Sequence, residues 1–495
     1  MAALLVAVLQ LVVSLLAAAV GFARAARTES RLARVAWSAL GVVPFFLVHA
    51  YVAWMGVALR FDVGIGNAAW ILGVALLSAH VAGVLVLRSR AANKPVYPLL
   101  FAFVACLAFE SAVLWGLEQR GRLEATLLAN EAGRIAYRES AEPMREELNA
   151  APIYTRSAAV VAPDDGVSVD DWSDALDPDG TLDPHDPKLV QALASWSSAI
   201  EAARAATKLP YCRFESTDAE EIVPAPRVYP LIDLTRAFAI EARVRAANGD
   251  VHGALEDVRA LFALARHLVG TPVLISVALA GVTQELGVRT LAHVLAEGNV
   301  SVDELAAFPF EPLVISGELV QRALRLEQAF GFGMIGLAGR EGSILPGDIG
   351  PFAVPVGVLY TGLMLEDEVR GYRDVMAELE AHAKLSVTEL AQVVDRESLA
   401  RRVRSRGVLA TLLTPNVDNQ LMEFHRFDAR TKLARIALRA ATVRAQQGAW
   451  PTAANFRVEE PNVVVEGDGT FLLLRDTTPG FESAPELRVP PSGKR

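Results

Sequence analysis

The feature that leaves this chain least freedom is its first 117 residues, where four long apolar runs succeed one another and charge is gathered almost entirely in the short connectors. The runs are Ala2 to Ala23, Val35 to Leu59, Val63 to Leu87 and Val96 to Leu117. Crossing a hydrocarbon core of roughly 30 Å at about 1.5 Å rise per residue takes about 20 apolar residues, so each run can span. Inside a bilayer a segment must satisfy its own backbone groups, and the economical prediction for residues 1–117 is a four-helix transmembrane bundle. Trp37, Tyr51, Trp54, Trp70, Tyr97 and Trp115 supply an aromatic fringe.

The connectors set the orientation, because Lys and Arg near span ends stay on the cytoplasmic side while acidic residues contribute little. The first connector carries Arg24, Arg27, Arg31 and Arg34, and the third Arg88, Arg90 and Lys94; the second has only Arg60 beside Asp62. Connectors one and three are therefore expected in the cytoplasm of a bacterial inner-membrane protein, with the N-terminus and everything after Leu117 on the periplasmic side. A cleaved signal peptide is the competing reading of the first run. It lacks a basic start, and cleavage would strand the arginines of the first connector on the wrong face.

Three ionisable residues, His49, His80 and Glu110, interrupt the apolar runs. Such groups are costly at membrane depth and are functional hypotheses by default. Counted from the outer span ends at about 1.5 Å per residue, they lie roughly 15, 18 and 10 Å deep, levels at which they can meet inside one bundle. The chemistry open to them is axial ligation of a haem iron by two histidines, metal binding, or a proton relay through the carboxylate. The plainer reading is that each imidazole bonds a neighbouring hydroxyl or carbonyl, with Glu110 protonated or packed against a partner helix.

About 375 residues follow the membrane block, enough for one large or two ordinary domains. A net charge of −10 argues against nucleic acid as a partner, since a duplex-binding surface needs a basic excess. With only Cys106 and Cys212, one in the membrane block and one beyond it, no disulfide framework is available and packing must hold the exterior domain. The expected fold is mainly α: the transmembrane bundle, a stalk helix and connector over 118–161, an acidic loop over 162–187, helical hairpins over 188–450, a β-hairpin segment over 451–484 and a disordered tail over 485–495.

Within the acidic loop, Asp177, Asp179, Gly180, Asp183 and Asp186 fall near the offsets of a calcium-binding loop. Ala175 stands at the first ligand position, however, and Pro178 sits inside the loop. The alternative is capping, with Asp186 as N-cap and Pro187 opening the helix Lys188 to Thr207. Val228 to Asn248 and Val251 to Val269 predict a helical hairpin turned at Asn248-Gly249-Asp250, and Thr271 to Glu297 another helix. Gly331, Gly333 and Gly336 reproduce dinucleotide spacing, but they follow Leu313 to Phe330, a predicted helix that they are expected to end, where the fingerprint must follow a strand. Ser386 and Glu389 form a capping box. In Val417 to Gln447 the residues Phe424, Phe427, Thr431, Ala434, Leu438 and Ala441 make a packing seam. The arginines near that helix suit either lipid headgroups and an acidic partner or local carboxylates. Val463 to Val465 and Phe471 to Leu474 about Glu466-Gly467-Asp468-Gly469 predict a β-hairpin.

Ala242, Gly249, Ala254 and Asp257 resemble the second half of a tetratricopeptide unit; one copy implies helix pairing and no solenoid. Leu209-Pro210-Tyr211-Cys212, the turn at Asn248-Gly249-Asp250, Leu365 to Ala377 and Leu433 to Pro451 make the chain similar to bacterial membrane-anchored proteins with a large helical exterior domain, a resemblance that implies no activity. The passage from Ala434-Arg435-Ile436-Ala437 through Gly448-Ala449-Trp450-Pro451 into the hairpin resembles type II secretion pseudopilins, which have a single N-terminal helix in place of four spans. No serine-nucleophile elbow, zinc-protease helix, phosphate loop or paired C-x-x-C occurs. Glu378 with His382 and His293 with Glu297 sit at helical i,i+4 spacing and read as ordinary exposed pairs. The sequence points to a noncatalytic envelope protein that binds the bilayer and a protein or envelope component, with haem and calcium as the cofactors that the membrane histidines and the acidic loop would imply.

Overall fold

The computed structural model describes residues 23–31, 119–139, 145–161, 169–177, 180–214, 230–341, 353–393, 403, 406–414, 417–468 and 470–490. Apart from Ala23, the four predicted spans lie outside them, with His49, His80 and Glu110. Among the described residues no helix is long and apolar enough to cross a membrane.

The elements are a helix over 119–139 (α1), α2 (Ala151–Val161), a 3-10 turn (Val169–Leu176), α3 (Pro187–Ala206), α4 (Leu231–Ala247), α5 (Val251–Leu268) and α6 (Leu274–Glu297). There follow α7 (Val302–Ala307), α8 (Gly317–Glu341), α9 (Ala353–His382), α10 (Val387–Val393), α11 (Val408–Leu413) and α12 (Val417–Gln447). Three strands close the order, β1 (Val463–Glu466), β2 (Leu472–Asp476) and β3 (Glu486–Val489). The chain divides into two compact units, one of Met1–Glu131, Gly331–Asp374 and Val403–Leu413, the other of Ala132–Phe330, Val375–Arg402 and Thr414–Arg495.

In the first unit the glycines expected to end a helix lie inside α8, because they permit close packing. A Cβ on Gly331 would stand 2.5 Å from the Tyr372 hydroxyl, and one on Gly336 would stand 2.9 Å from the Ala125 carbonyl. Tertiary contact thus overrides the weak helix propensity of glycine, roughly 1 kcal/mol per residue. Phe332 meets Tyr372 edge-on at 5.8 Å, with the Arg373 guanidinium 5.1 Å above the Phe332 ring.

The second unit is built around α6, which is buried along most of its length because apolar residues cover nearly its whole circumference. It packs on α4, α5, α12 and β3. Phe262, Val288, Leu291, Leu295, Leu433, Ile436, Leu472 and Leu487 belong to one continuous core, each contributing about 1.5–3 kcal/mol when fully buried. Of the expected seam on α12, Phe424, Phe427, Thr431, Ala434 and Ala441 are buried and Leu438 is half-buried. The Asn248 turn joins α4 to α5 as a hairpin, with Asp250 capping α5 through the Gly253 amide at 2.9 Å. The predicted capping box on Ser386 is closed by Glu389, and a second box, Ser301 with Glu304, caps α7.

Where α6 meets α12, Gly281 faces Phe427 so closely that an added methyl would lie within contact of the ring. Gly281→Ala is therefore expected to cost about 1–3 kcal/mol through overpacking. Gly133→Ala, on an open stretch of α1, is expected to be neutral or mildly stabilising. Denaturant titration of the full chain in detergent separates the two.

The C-terminal sheet corrects one expectation. In place of a hairpin and a disordered tail beyond Pro485, the strands run in the order β1-β2-β3, all antiparallel, with Leu474 opposite Val465 on one side and Leu487 on the other. Leu487 and Val489 are buried, while Arg475 bonds Glu486 at 2.6 Å on the exposed side. A two-stranded hairpin is marginal alone, and the third strand with the α6 and α12 surfaces beneath it supplies the missing burial.

Candidate functional site

Four ionisable residues, Glu285, Arg289, His293 and Glu297, recur at every fourth position of α6 and so share one face. On α4, Arg236 and Arg243 stand two turns apart on a common face. Against these faces lies the acidic segment. Its 3-10 turn is anchored by Trp172, whose ring meets Trp196 of α3 edge-on at 6.1 Å.

Backbone carbonyls of the segment receive most of the bonds. Arg243, only 2% exposed, donates from Nη1 to the Ala175 carbonyl and from Nη2 to the Gly180 carbonyl at 3.2 Å. The same Nη2 meets Glu297 at 2.8 Å. His293, 3% exposed, places Nε2 3.1 Å from the Asp177 carbonyl. A carbonyl only accepts, so Nε2 carries the proton and the neutral ring keeps its lone pair on Nδ1. That Nδ1 and the Arg243 Nε have no hydrogen-bond partner among the described residues, and the Glu297 carboxylate stands 3.9 Å from Nδ1. Burial, then the nearby Arg243 charge, push the His293 pKa down to about 4; the bond to Asp177 opposes them and Arg289 adds to the fall. At the edges Arg289 stands 3.9 Å from the Asp177 carboxylate, and Arg236 bonds Asp170.

A second charged cluster ties α3, α4 and α5 together. Arg204 bonds the fully buried Asp257 at 2.6 Å and Glu241 at 3.2 Å, and Arg245 bonds Glu241 at 2.6 Å and stands 3.4 Å from Asp257. Burial and the Glu241 charge push the Asp257 carboxyl up to about 7, against the pull of Arg204 and Arg245. Burial disfavours charge on Arg204, but Asp257 and Glu241 hold its guanidinium above its ordinary value.

A third polar group lies at the start of the unit. The Tyr154 hydroxyl is 2.8 Å from Nδ1 of His267, and the Leu209 backbone also bonds this imidazole. Burial lowers the His267 pKa to about 4 and raises those of Tyr154 and Cys212. Asn149 pins this region by accepting from the Arg213 amide at 2.9 Å and donating to the Arg213 carbonyl at 2.9 Å.

The candidate calcium ligands are placed separately. Asp186 caps α3 by accepting from the Lys188 amide at 2.9 Å, Asp183 accepts from the His185 amide at 2.9 Å, and Asp177 turns to Arg289. Asp179 lies outside the described residues. Among the described residues no three His, Cys, Asp or Glu side chains converge as a metal ion requires. The pair His293 and Glu297 corrects an expectation: it reads as exposed from its spacing, yet the acidic segment covers it. His382 is likewise buried, with no hydrogen-bond partner for its Nδ1 among the described residues. Along α12, Arg426 bonds Glu423 and Arg430 meets Glu285 at 2.5 Å, the local pairing that competes with a lipid-facing role. Arg243, Tyr154 and His267 escape sequence reading; the fourfold polar stripe of α6 was the one visible signal. Comparison with protein-family models, curated proteins and solved structures returned no match.

Proposed function

We propose that this chain is a noncatalytic, multi-pass protein of a bacterial inner membrane, which presents its helical second unit on the periplasmic side to a protein or envelope component. The reading rests on the alternation of arginine-rich and arginine-poor connectors between four span-length apolar runs. The buried charges of the second unit support it, because Arg204, Asp257, Glu241 and Arg245 pair with one another across helix interfaces and so stiffen a scaffold. Helical hairpins held in this way offer large, rigid binding surfaces.

Topology reporters test the location. Alkaline phosphatase fused after Arg495 is expected to be active, and a fluorescent protein fused within the Arg88 to Lys94 connector is expected to mature in the cytoplasm. Phosphatase activity absent after Arg495, with a cytosolic reporter active there, would overturn the placement. Absorption spectra of the purified protein test the noncatalytic half: a bis-histidine haem band lost on His49→Ala would replace it with redox chemistry at His49 and His80.

A further inference from the structure

The acidic segment is held to the second unit in an unusual way. Its bonds to Arg243 and His293 are made by the carbonyls of Ala175, Asp177 and Gly180, so two buried side chains, one on α4 and one on α6, fix the path of the backbone. We propose that residues 169–177, with Gly180, form a strap closed over α4 and α6, and that acidification opens it by protonating His293.

The geometry around the ring gives the direction. A second proton must go onto Nδ1, because Nε2 already donates to Asp177. Nδ1 is buried and, among the described residues, has no hydrogen-bond partner. The groups facing the ring are Arg243 from α4, Arg289 and Glu297 on α6, and Asp177 from the strap. Glu297, the carboxylate that meets Nδ1 among the described residues, stands 3.9 Å away and is bonded to Arg243 at 2.8 Å, so its charge is largely answered. Two guanidinium groups oppose a cationic imidazole. Lifting the strap lets water reach the ring and removes this penalty, so the proton binds the open form.

The sign follows from linkage. A histidine held at about 4 in the closed form and at its ordinary 6.5 in the open form favours closure above 6.5. As pH falls from 6.5 toward 4 the preference is lost, and the opening constant rises roughly five- to sevenfold per pH unit through most of that window. Trp172 on Trp196 and the Arg236 bond to Asp170 hold the strap independently of this proton, so the opening is graded.

Hydrogen exchange of the full-length protein in detergent, followed on peptides covering 169–177 and corrected for intrinsic exchange rates, reads the opening constant. From pH 6.5 to 4.5 the wild-type constant is expected to rise roughly fortyfold. His293→Gln keeps an N–H donor and cannot titrate, so its constant is expected to be flat across the same range. His267→Gln, which removes the other buried histidine with a low pKa, is expected to retain the response. A wild-type constant that stays within threefold overturns the proposal, and that measurement needs no variant to fold. So does a response that survives in His293→Gln or disappears in His267→Gln.

Discussion

Replacing Asp257 by alanine is expected to destabilise the second unit by about 3–5 kcal/mol, the usual cost of removing one member of a buried ion cluster. Asp257 is fully buried and receives two bonds from Arg204, at 2.6 and 2.9 Å, with Arg245 close by at 3.4 Å. Without it, two guanidinium groups face each other across the α3, α4 and α5 junction with only Glu241 between them. Asp257→Asn keeps the shape and an acceptor oxygen, and the expected loss is smaller, about 1–3 kcal/mol. Removing the charge on both sides, with Arg204→Met and Asp257→Leu together, is expected to recover much of the alanine loss, because the desolvation of each ion is removed with its partner. Thermal unfolding of the full chain in detergent is the measurement. At about 2–4 °C per kcal/mol, Asp257→Ala lowers the midpoint by roughly 10 °C. If Asp257→Ala and the double variant melt together near wild type, the cluster is not what joins these helices.

Arg243→Met has an effect of similar size but different reach. It strips the donors from the Ala175 and Gly180 carbonyls and leaves Glu297 without its partner at 2.8 Å. Unmet buried carbonyls cost about 1–3 kcal/mol each, and an abandoned carboxylate more. Relief is available locally, however, since releasing the acidic segment returns these groups to water. The expected outcome is a hundredfold or greater loss of exchange protection confined to 169–177, with α5 and α6 amides close to their wild-type protection. Lysine is expected to rescue poorly, because a single ammonium group cannot reproduce the planar fork that reaches three acceptors. Uniform loss of protection across α4, α5 and α6 would show instead that Arg243 supports the whole unit.

Both effects depend on residues whose partners lie far off in the chain, and this separates what was legible from what was not. The helices of the second unit were readable because their periodicity, caps and turns are local: Ser386 and Asp186 each act within three residues. The seam of α12 was readable for the same reason, as an apolar stripe at spacings of three and four. The strand Glu486–Val489 was not, because four alternating residues carry too little signal until β2 is beside them. The glycines of α8 misled for a related reason: their propensity argues for an end, and only the Tyr372 and Ala125 contacts explain continuation.

The sequence by itself determined the helical class, the hairpin at Asn248, the caps and the span-length apolar runs, because each is set by periodicity or chemistry within a few residues. Tertiary structure alone decided that the acidic segment lies over His293 and Glu297, that Arg243 is sealed beneath it, and that Asp257 is enclosed by two arginines. Burial and charge pairing depend on which surfaces meet, and residues separated by 54 to 68 positions, as Arg243 is from Glu297 and from Ala175, leave no local trace of that meeting.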